Sequence, residues 1–446
     1  MKNKIRNYKE LEEFFKNYYN LYQGSYSKYG KSGIGFQKNQ YILETLGHPE
    51  KKIKSVNIIG TSGKGSTSNF LFNLIKSENL KVGMITSPHL TDIRERIKIN
   101  DELIPKEDLI SCVNIMIPIL DKLKEENYAI SDFEMMYFIG IYYFAKKGLD
   151  FLVLEAGMGG KYDYSRFCNN IITVITNVGI DHTAYLGKTK PTILKDKMMG
   201  AENSKYIISG VTQKVLKGIL TEHALSNNKK LLFIKNDFNA ENIILSETNT
   251  KFDYTDKKHN IKSIRLDLLG KFQAINATIA LKTYLKLKEL GVLNKKIDED
   301  KIRKALNSCF FAARLEIISR KPLIIVDGAH NEHKMNALCK SLKKIYNNRK
   351  FICILALKYN KDAKEILKKV KPIVDKFIFT EFTTTKSFTV KELGDIAKIL
   401  GIENFSKRKD PDKAFKMGIF ESKKENIPLL ITGSLYLARE VKNNLK

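Results

Sequence analysis

The chain lacks several features that would assign its class at once. Its 446 residues hold only five cysteines, at positions 112, 168, 309, 339 and 353. None forms a CxxC pair, and the set is too sparse for a disulfide framework. No run approaches the roughly 18 apolar residues needed to cross a bilayer. The opening segment MKNKIRNYKELEEFF is polar and helical in pattern, unlike a secretory leader. Together these absences lead us to expect a cytoplasmic protein with no membrane contact. No internal repeat and no disordered tail is visible, so neither a solenoid nor a long polar extension is expected.

Acidic residues are also scarce, with 49 Asp and Glu against 77 Lys and Arg and a formal net charge of +28. Such a balance invites a nucleic-acid reading. The lysines, however, are spread over the whole length and interleaved with glutamates on helix faces. They form no basic stripe spaced with aromatics and no nucleic-acid-binding module. Abundant Lys, Asn and Ile instead point to a compositional bias of the source. We therefore expect no nucleic-acid partner, although a positive field favours anionic substrates. A hydrophobic content of 43% supports a packed chain, and the length exceeds one ordinary core, so two domains are expected.

Residues 56–76, VNIIGTSGKGSTSNFLFNLIK, read as a buried strand that runs through a glycine-rich turn into an amphipathic helix. Gly60, Gly63 and Gly65 let the backbone approach a ligand and point successive N–H groups inward at a helix start, where an anion is favoured. Lys64 adds a compact positive charge, and Ser66 or Thr67 offers a hydroxyl to a magnesium ion that phosphates also hold. The spacing departs from the common P-loop pattern, because Gly65 separates the lysine from the hydroxyl residue.

Other strands end in polar residues in the same way. KVGMIT stops at Ser87-Pro88-His89, FLVLE ends in Glu155 before a second glycine turn, and ITVIT leads to Asp181-His182. Hydroxyl, carboxylate and imidazole thus fall at strand ends on one edge of one sheet. Helical patterns at 105–126, 131–147 and 190–201 alternate with these strands, which argues for a mostly parallel sheet with ligands at the strands' carboxyl ends. Residues 236–268 read as a hairpin-rich excursion, followed by helices at 271–290 and 298–307. After a change of rhythm near 308–314 the pattern restarts. Strands at 322–326, 351–357, 376–380 and 428–432 alternate with helices at 333–346, 361–371, 390–400 and 434–444. In this second α/β domain, Asp327 and His330 follow the buried strand LIIV, and Arg314 lies just before it, able to reach a phosphate. Two domains, each with such an edge, suggest a cleft between them.

These motifs resemble the folylpolyglutamate synthase and dihydrofolate synthase family, a branch of the Mur-ligase-like ATP-dependent amide ligases. The resemblance runs from about Gly33 to the C-terminus. It rests on the GTxGKG[ST] turn, TSPHL at 86–90, ERIxIN at 95–100, LExGxGG at 154–160, GIDHTxxLG at 179–187 and GxxQxxN at 270–276. AARLE at 312–316, DGAHN at 327–331 and TGSLYLA at 432–438 follow in family order. It implies a P-loop ATP-binding domain with a mostly parallel sheet over residues 1–307, and a smaller Rossmann-like glutamate-ligase domain over 308–446. The implied chemistry is phosphorylation of a substrate carboxylate by ATP, followed by attack of L-glutamate on the acyl phosphate. The acceptor would be a folate or dihydropteroate, and a monomer would suffice.

By the same resemblance, Gly60, Thr61, Gly63, Lys64, Gly65, Ser66 and Thr67 would bind ATP, joined by Asn276, Arg314 and Asp327. One or two magnesium ions would lie on Ser66, Ser87, Glu155 and His182. Lys197 falls where the family carries a carbamylated lysine, and Lys64, Lys197 and His330 take catalytic places. Glu134, Lys161 and Asp163 fall on the acceptor side, and His330 and Ser434 near the incoming glutamate. The chain departs from the family's GGRxDxTN, reading Lys161 for the arginine and Arg166 at the final position. It also reads KDKMMG where EKAGI is usual. These changes touch the acceptor side, so a related amide ligase with a different carboxylate acceptor is the alternative expectation.

Overall fold

The computed structural model describes residues 4–21, 34–126, 128, 130–383 and 385–443. Most of the glycine- and tyrosine-bearing segment QGSYSKYGKSGIG at 23–35 lies outside the described residues. Chain contacts divide the protein into two compact units. The first comprises residues 1–239, 256–258 and 276–305, and the second 240–255, 259–275 and 306–446. The excursion near 240–275 therefore packs largely with the C-terminal unit.

The first unit is built on strands β1 (Lys54–Ile59), β2 (Val82–Ile85), β3 (Ile97–Ile99), β4 (Glu102–Leu103), β5 (Phe151–Glu155), β6 (Asn169–Ile175), β7 (Tyr206–Ser209) and β8 (Lys230–Phe233). Their order across the sheet is β4-β3-β2-β5-β1-β6-β7-β8. The six from β2 to β8 in that order are parallel, and β3 and β4 form an antiparallel edge. The central strands read as continuous apolar runs because they are covered on both faces, and all five residues of β5 are buried. From β1 the chain crosses beyond the place of β5 to build β2, whereas β6, β7 and β8 extend the other side. The turn after β1 thus opens where sheet growth reverses, a usual ligand position in such folds.

Helix ends are set by local chemistry. Ser131 and Glu134 form a reciprocal capping box at the start of Asp132–Lys147, and Gly148 ends that helix in the left-handed region. Its apolar length, including Phe138, Ile141 and Phe144, packs with Leu152 and Leu154 of β5 in one core cluster. A second cluster joins Ile59, Ile175 and Ile207 to Ile193 and Leu194 of the helix Lys190–Met198.

The second unit contains two sheets. Strands β9 (Phe238–Leu245), β10 (Thr250–Asp256) and β11 (Asn260–Leu266) form a three-stranded sheet, with β10 and β11 antiparallel. The larger sheet consists of β12 (Glu316–Arg320), β13 (Leu323–Val326), β14 (Phe351–Leu355), β15 (Val374–Phe379), β16 (Phe405–Lys407) and β17 (Leu429–Thr432), in the order β12-β13-β17-β14-β15-β16. It is parallel except for the β12–β13 hairpin. Both expected α/β layers are present. The sequence reading did not identify β12, β16 or the helix Pro411–Glu425. That helix carried a usable signal, because Asp410 caps it and Pro411 occupies its first turn. Among the described residues no helix is long and apolar enough to cross a membrane, and all five cysteines are free and buried.

One buried polar network ties the helix Lys271–Glu289 to the end of the helix after β1. Lys288, 2% exposed, donates to the carbonyl oxygens of Asn294 and Lys296 at 2.7 Å and pairs with Glu78 at 3.0 Å. The Tyr284 hydroxyl also donates to Glu78. Removing one member of such a pair strands the other charge. Lys288→Met is expected to lower stability by about 3 kcal/mol, read as a shift in the urea midpoint followed by circular dichroism. An unchanged midpoint would show that Glu78 is solvated.

Candidate active site

Five buried residues of β1 carry the chain to the sheet's carboxyl edge, where the glycine turn begins. Gly60 has φ +149°, and a Cβ there would lie 2.0 Å from Thr176 Oγ1. Gly63 has φ +80°, and a Cβ there would lie 2.5 Å from Asn276 Oδ1. Both positions therefore require glycine. The turn is pinned to the segment after β6. The Thr61 hydroxyl accepts from the Gly179 N–H at 3.0 Å, the Ser62 N–H donates to Asn177 Oδ1 at 2.9 Å, and the Ser62 carbonyl accepts from Thr176 Oγ1 at 2.7 Å. The helix Lys64–Lys76 starts without a side-chain cap, leaving its positive end for an anion.

Two lysines converge on one oxygen. Lys64 Nζ and Lys197 Nζ each donate to the Gly60 carbonyl at 3.2 Å. Lys197 is 3% exposed. Burial, and then the charge of Lys64, lower its pKa from the ordinary 10.5 to about 7, against the opposing pull of Asp196, Asp163 and Asp181. Its helix is held tightly, since a Cβ on Gly160 would lie 2.3 Å from the Lys197 carbonyl oxygen, and the Gly160 N–H donates to Asp196 Oδ1 at 2.9 Å. Nearby hydroxyls add polar groups that a ligand could use. Ser62 Oγ and Thr67 Oγ1 are buried without a hydrogen-bond partner, a state that costs free energy unless something binds there.

The same edge offers oxygen donors. Glu155, 5% exposed, accepts from the Ser87 N–H at 3.0 Å, because β2 and β5 are neighbours. Ser66 and Thr67 lie buried at the helix start. His182 is exposed and begins the short helix Thr183–Leu186 with φ 51°. Among the described residues no three His, Cys, Asp or Glu side chains gather as a ready-made cage. A hard cation that keeps waters and shares phosphate oxygens, such as magnesium, fits one carboxylate, several hydroxyls and an unpartnered Thr67 Oγ1.

On the acceptor side the expected residues separate into two kinds. Glu134 spends its carboxylate on the Ser131 N–H and on Lys38, paired at 2.6 Å. Asp163 is buried and accepts from the N–H groups of Gly157, Met158 and Ser165 and from the Ser165 hydroxyl at 2.6 Å. Burial holds the Asp163 pKa above the ordinary value despite those bonds. Asp163 is thus a post for its loop, and Glu134 one for the start of its helix. Lys161 is exposed, with its ammonium 5.0 Å over the Tyr162 ring. Arg166 pairs with Glu202 and donates to the Lys161 carbonyl, so its charge is taken up locally. The sequence reading missed Lys38 and Glu202, and it also missed the contact of Arg96 with His89 at 3.0 Å.

In the second unit, the Asp327 carboxylate accepts from the N–H groups of Leu315 and Ala329, both at 2.8 Å. Burial raises its pKa, and Arg314 works in the other direction. Arg314 donates to the Ala313 carbonyl at 2.9 Å and lies 5.0 Å over the Phe311 ring. His330 stands 2.8 Å from the Gly328 carbonyl through Nδ1 and 3.0 Å from Lys334 Nζ through Nε2. An ammonium only donates, so Nε2 accepts and Nδ1 carries the hydrogen. Ser434 Oγ accepts from the Tyr436 N–H at 3.0 Å. Parallel pairing of β13 with β17 sets the DGAHN and TGS turns side by side.

The Mur ligase middle domain family matches residues 137–284, and the Mur ligase glutamate ligase domain family matches residues 313–435. The chain is 30% identical over 426 residues to a dihydrofolate synthase/folylpolyglutamate synthase of Bacillus subtilis, covering 94% of this chain and 96% of that protein. A crystal structure of folylpolyglutamate synthase from Thermotoga maritima is 28% identical, with a TM-score of 0.78 and 92% of each chain covered. The Mycobacterium tuberculosis folylpolyglutamate synthase complexed with ADP shares the fold, with a TM-score of 0.88 at 21% identity and 98% of each chain covered.

The depressed pKa of Lys197 has a definite sign in stability. The folded chain binds this proton more weakly than the unfolded chain, so the cost of charging Lys197 in place is fully present below about pH 7. It fades between pH 7 and the ordinary 10.5 as the unfolded chain also loses the proton. Lys197→Met should therefore be more stable than the natural chain at pH 6, by on the order of a few kcal/mol. The gap should shrink steadily toward pH 10. Denaturant titrations of both proteins at pH 6, 8 and 10 check this, and a gap independent of pH would contradict it.

Proposed function

The chain belongs to the folylpolyglutamate synthase and dihydrofolate synthase family, and we propose that it joins L-glutamate to a folate-type carboxylate at the expense of ATP. The acceptor is dihydropteroate, tetrahydrofolate or both. The observation that carries this reading is the convergence of the Lys64 and Lys197 side chains on the Gly60 carbonyl, beside an uncapped helix start and buried hydroxyls with no hydrogen-bond partner among the described residues. Such a place suits polyphosphate, because the Lys64 ammonium, with no carboxylate in salt-bridge contact among the described residues, and the N–H groups of the helix start converge there.

In the proposed reaction an oxygen of the acceptor carboxylate attacks the γ-phosphorus and ADP leaves. The glutamate amine then attacks the acyl carbon, phosphate departs and the nitrogen loses a proton. Lys64 and the N–H groups of residues 63–66 hold the phosphates, and Asn276, Arg314 and Asp327 serve the nucleotide. Magnesium, held by Ser66 or Thr67 with Ser87, Glu155 and His182, would neutralise the phosphate oxygens. Positioning and charge do the work here, since phosphoryl transfer asks for little covalent chemistry from the protein. Lys161 presents a single cation to the acceptor, and His330 and Ser434 receive the incoming glutamate.

With a pKa of about 7, Lys197 is substantially neutral at physiological pH, and a neutral amine adds carbon dioxide to give a carbamate and a proton. We propose that it does so, which turns a cation beside Lys64 into an anion suited to a metal. Intact mass and a carbon-13 carbamate signal from labelled bicarbonate check this. An unmodified Lys197 whose replacement by alanine keeps activity would exclude it.

The central test supplies purified protein with ATP, magnesium and L-glutamate and offers dihydropteroate or tetrahydrofolate in turn, following ADP and product mass. Folate-dependent ADP release is expected, and Lys64→Ala should reduce it by roughly 100-fold or more. No release with either acceptor would reject the folate reading.

A further inference from the structure

We propose that Glu316, braced by Lys442, is a positioning residue that holds Arg314 in a backbone turn the chain would not otherwise adopt. The inference rests on the reading above, in which Arg314 serves the nucleotide.

The turn Ala313–Arg314–Leu315 is unusual on both sides of the arginine. Ala313 has φ 53° and Leu315 has φ 50°, a left-handed conformation that side-chain-bearing residues disfavour. Two such residues flanking one arginine persist only where the surroundings over-determine them. The benefit lies in direction. Ala313 and Leu315 are buried at 0% and 2% exposure, while Arg314 between them is only half-buried. The left-handed steps let both neighbours turn inward and leave the guanidinium outward. Glycine could adopt these angles but would not enforce them.

The restraints are specific. Glu316 Oε2 accepts from the Ala313 N–H at 2.7 Å, Asp327 Oδ2 accepts from the Leu315 N–H at 2.8 Å, and the Gly328 N–H donates to the Ala313 carbonyl at 2.9 Å. A carboxylate therefore holds each left-handed residue by its N–H. Gly328 leaves the necessary room, because a Cβ there would lie 3.1 Å from Arg314 Nη1 and 2.3 Å from Leu435. The other oxygen of Glu316 accepts from Lys442 Nζ at 2.6 Å, and that ammonium also lies 5.7 Å over the Phe310 ring. Lys442 belongs to the final helix, Leu435–Asn443. The last helix thus fixes the carboxylate that fixes the turn that aims the arginine. Without Glu316, Ala313 is free to return to a right-handed or extended conformation, and Arg314 loses its direction.

The test uses the full chain and compares Arg314→Ala, Glu316→Gln, Glu316→Ala, Lys442→Ala and the double variant Glu316→Ala with Ala313→Gly. It measures kcat and KM for ATP in folate-dependent ADP release, the affinity for a non-hydrolysable ATP analogue, and the melting temperature. Glu316→Ala should lower kcat/KM for ATP by roughly tenfold, Lys442→Ala by less, and Arg314→Ala by the most. Adding Ala313→Gly to Glu316→Ala should restore part of the loss, because glycine reaches the positive φ without the steric cost that the carboxylate otherwise offsets. Loss of melting temperature alone in the Glu316 and Lys442 variants, with ATP parameters intact, would overturn the proposal. So would the absence of rescue by Ala313→Gly. If Arg314→Ala itself leaves nucleotide affinity and turnover unchanged, the nucleotide role of Arg314 fails, and the proposal fails with it for that separate reason. Should Glu316→Ala not fold, Glu316→Gln and Lys442→Ala decide, since both keep most of the local packing.

Discussion

The Gly60 carbonyl oxygen, shared by the Nζ atoms of Lys64 and Lys197, is the point on which the first unit depends. One neutral acceptor cannot balance two cations, so burial and the charge of Lys64 push Lys197 toward its neutral form, and the turn keeps a positive charge that burial makes expensive. The fold supports that excess from several directions. Thr176 and Asn177 grip the turn from the end of β6, and Gly160 packs its backbone directly on the Lys197 helix. Asp196, Asp163 and Asp181 soften the charge without touching it closely enough to cancel it. A turn arranged in this way favours an anion.

Both units handle backbone polarity with buried carboxylates. Asp163 satisfies three N–H groups and a hydroxyl in the loop after β5, and Asp327 satisfies two N–H groups after β13. Asp163 lies in the loop between β5 and β6 and Asp327 directly after β13, and each pairs N–H groups that would otherwise lie buried without a partner. Acidic residues next to a site are readily taken for ligands. Here burial distinguishes those that shape the loops from the residues the loops present, namely Lys161, His182 and Arg314.

Much of this was legible in the sequence, for physical reasons. The continuous apolar runs of β1, β5 and β6 announced a buried parallel sheet, and glycine spacing announced the turn, because both are properties of short segments. What escaped was set through space. The short strand β16 carries Ser406 and Lys407 and has no apolar run to reveal it. The Glu134 partner Lys38 lies 96 residues away and the Arg166 partner Glu202 lies 36 away, so no local pattern could pair them. Burial of Lys197 was equally invisible. In a chain with 77 basic residues one more lysine on a helix reads as solvated, and only the close approach of Gly160 and Gly60 reveals that it is not.

The loop from 157 to 166 shows how a departure from a family pattern is absorbed. An arginine at 166 adds bulk and charge beside the acceptor side, which in isolation argues for a changed acceptor. In the fold, Glu202 takes up that charge, and the guanidinium also secures the Lys161 carbonyl, so Arg166 becomes a brace. The cation left facing outward is Lys161, which stands where the family has arginine. Lysine keeps the charge but lacks the planar fork that grips a carboxylate through two parallel hydrogen bonds. If this loop faces the acceptor, as proposed, that side keeps its sign and loses a geometric constraint. On that proposal recognition would rest on charge and on the loop shape set by Asp163, and less on bidentate hydrogen bonding.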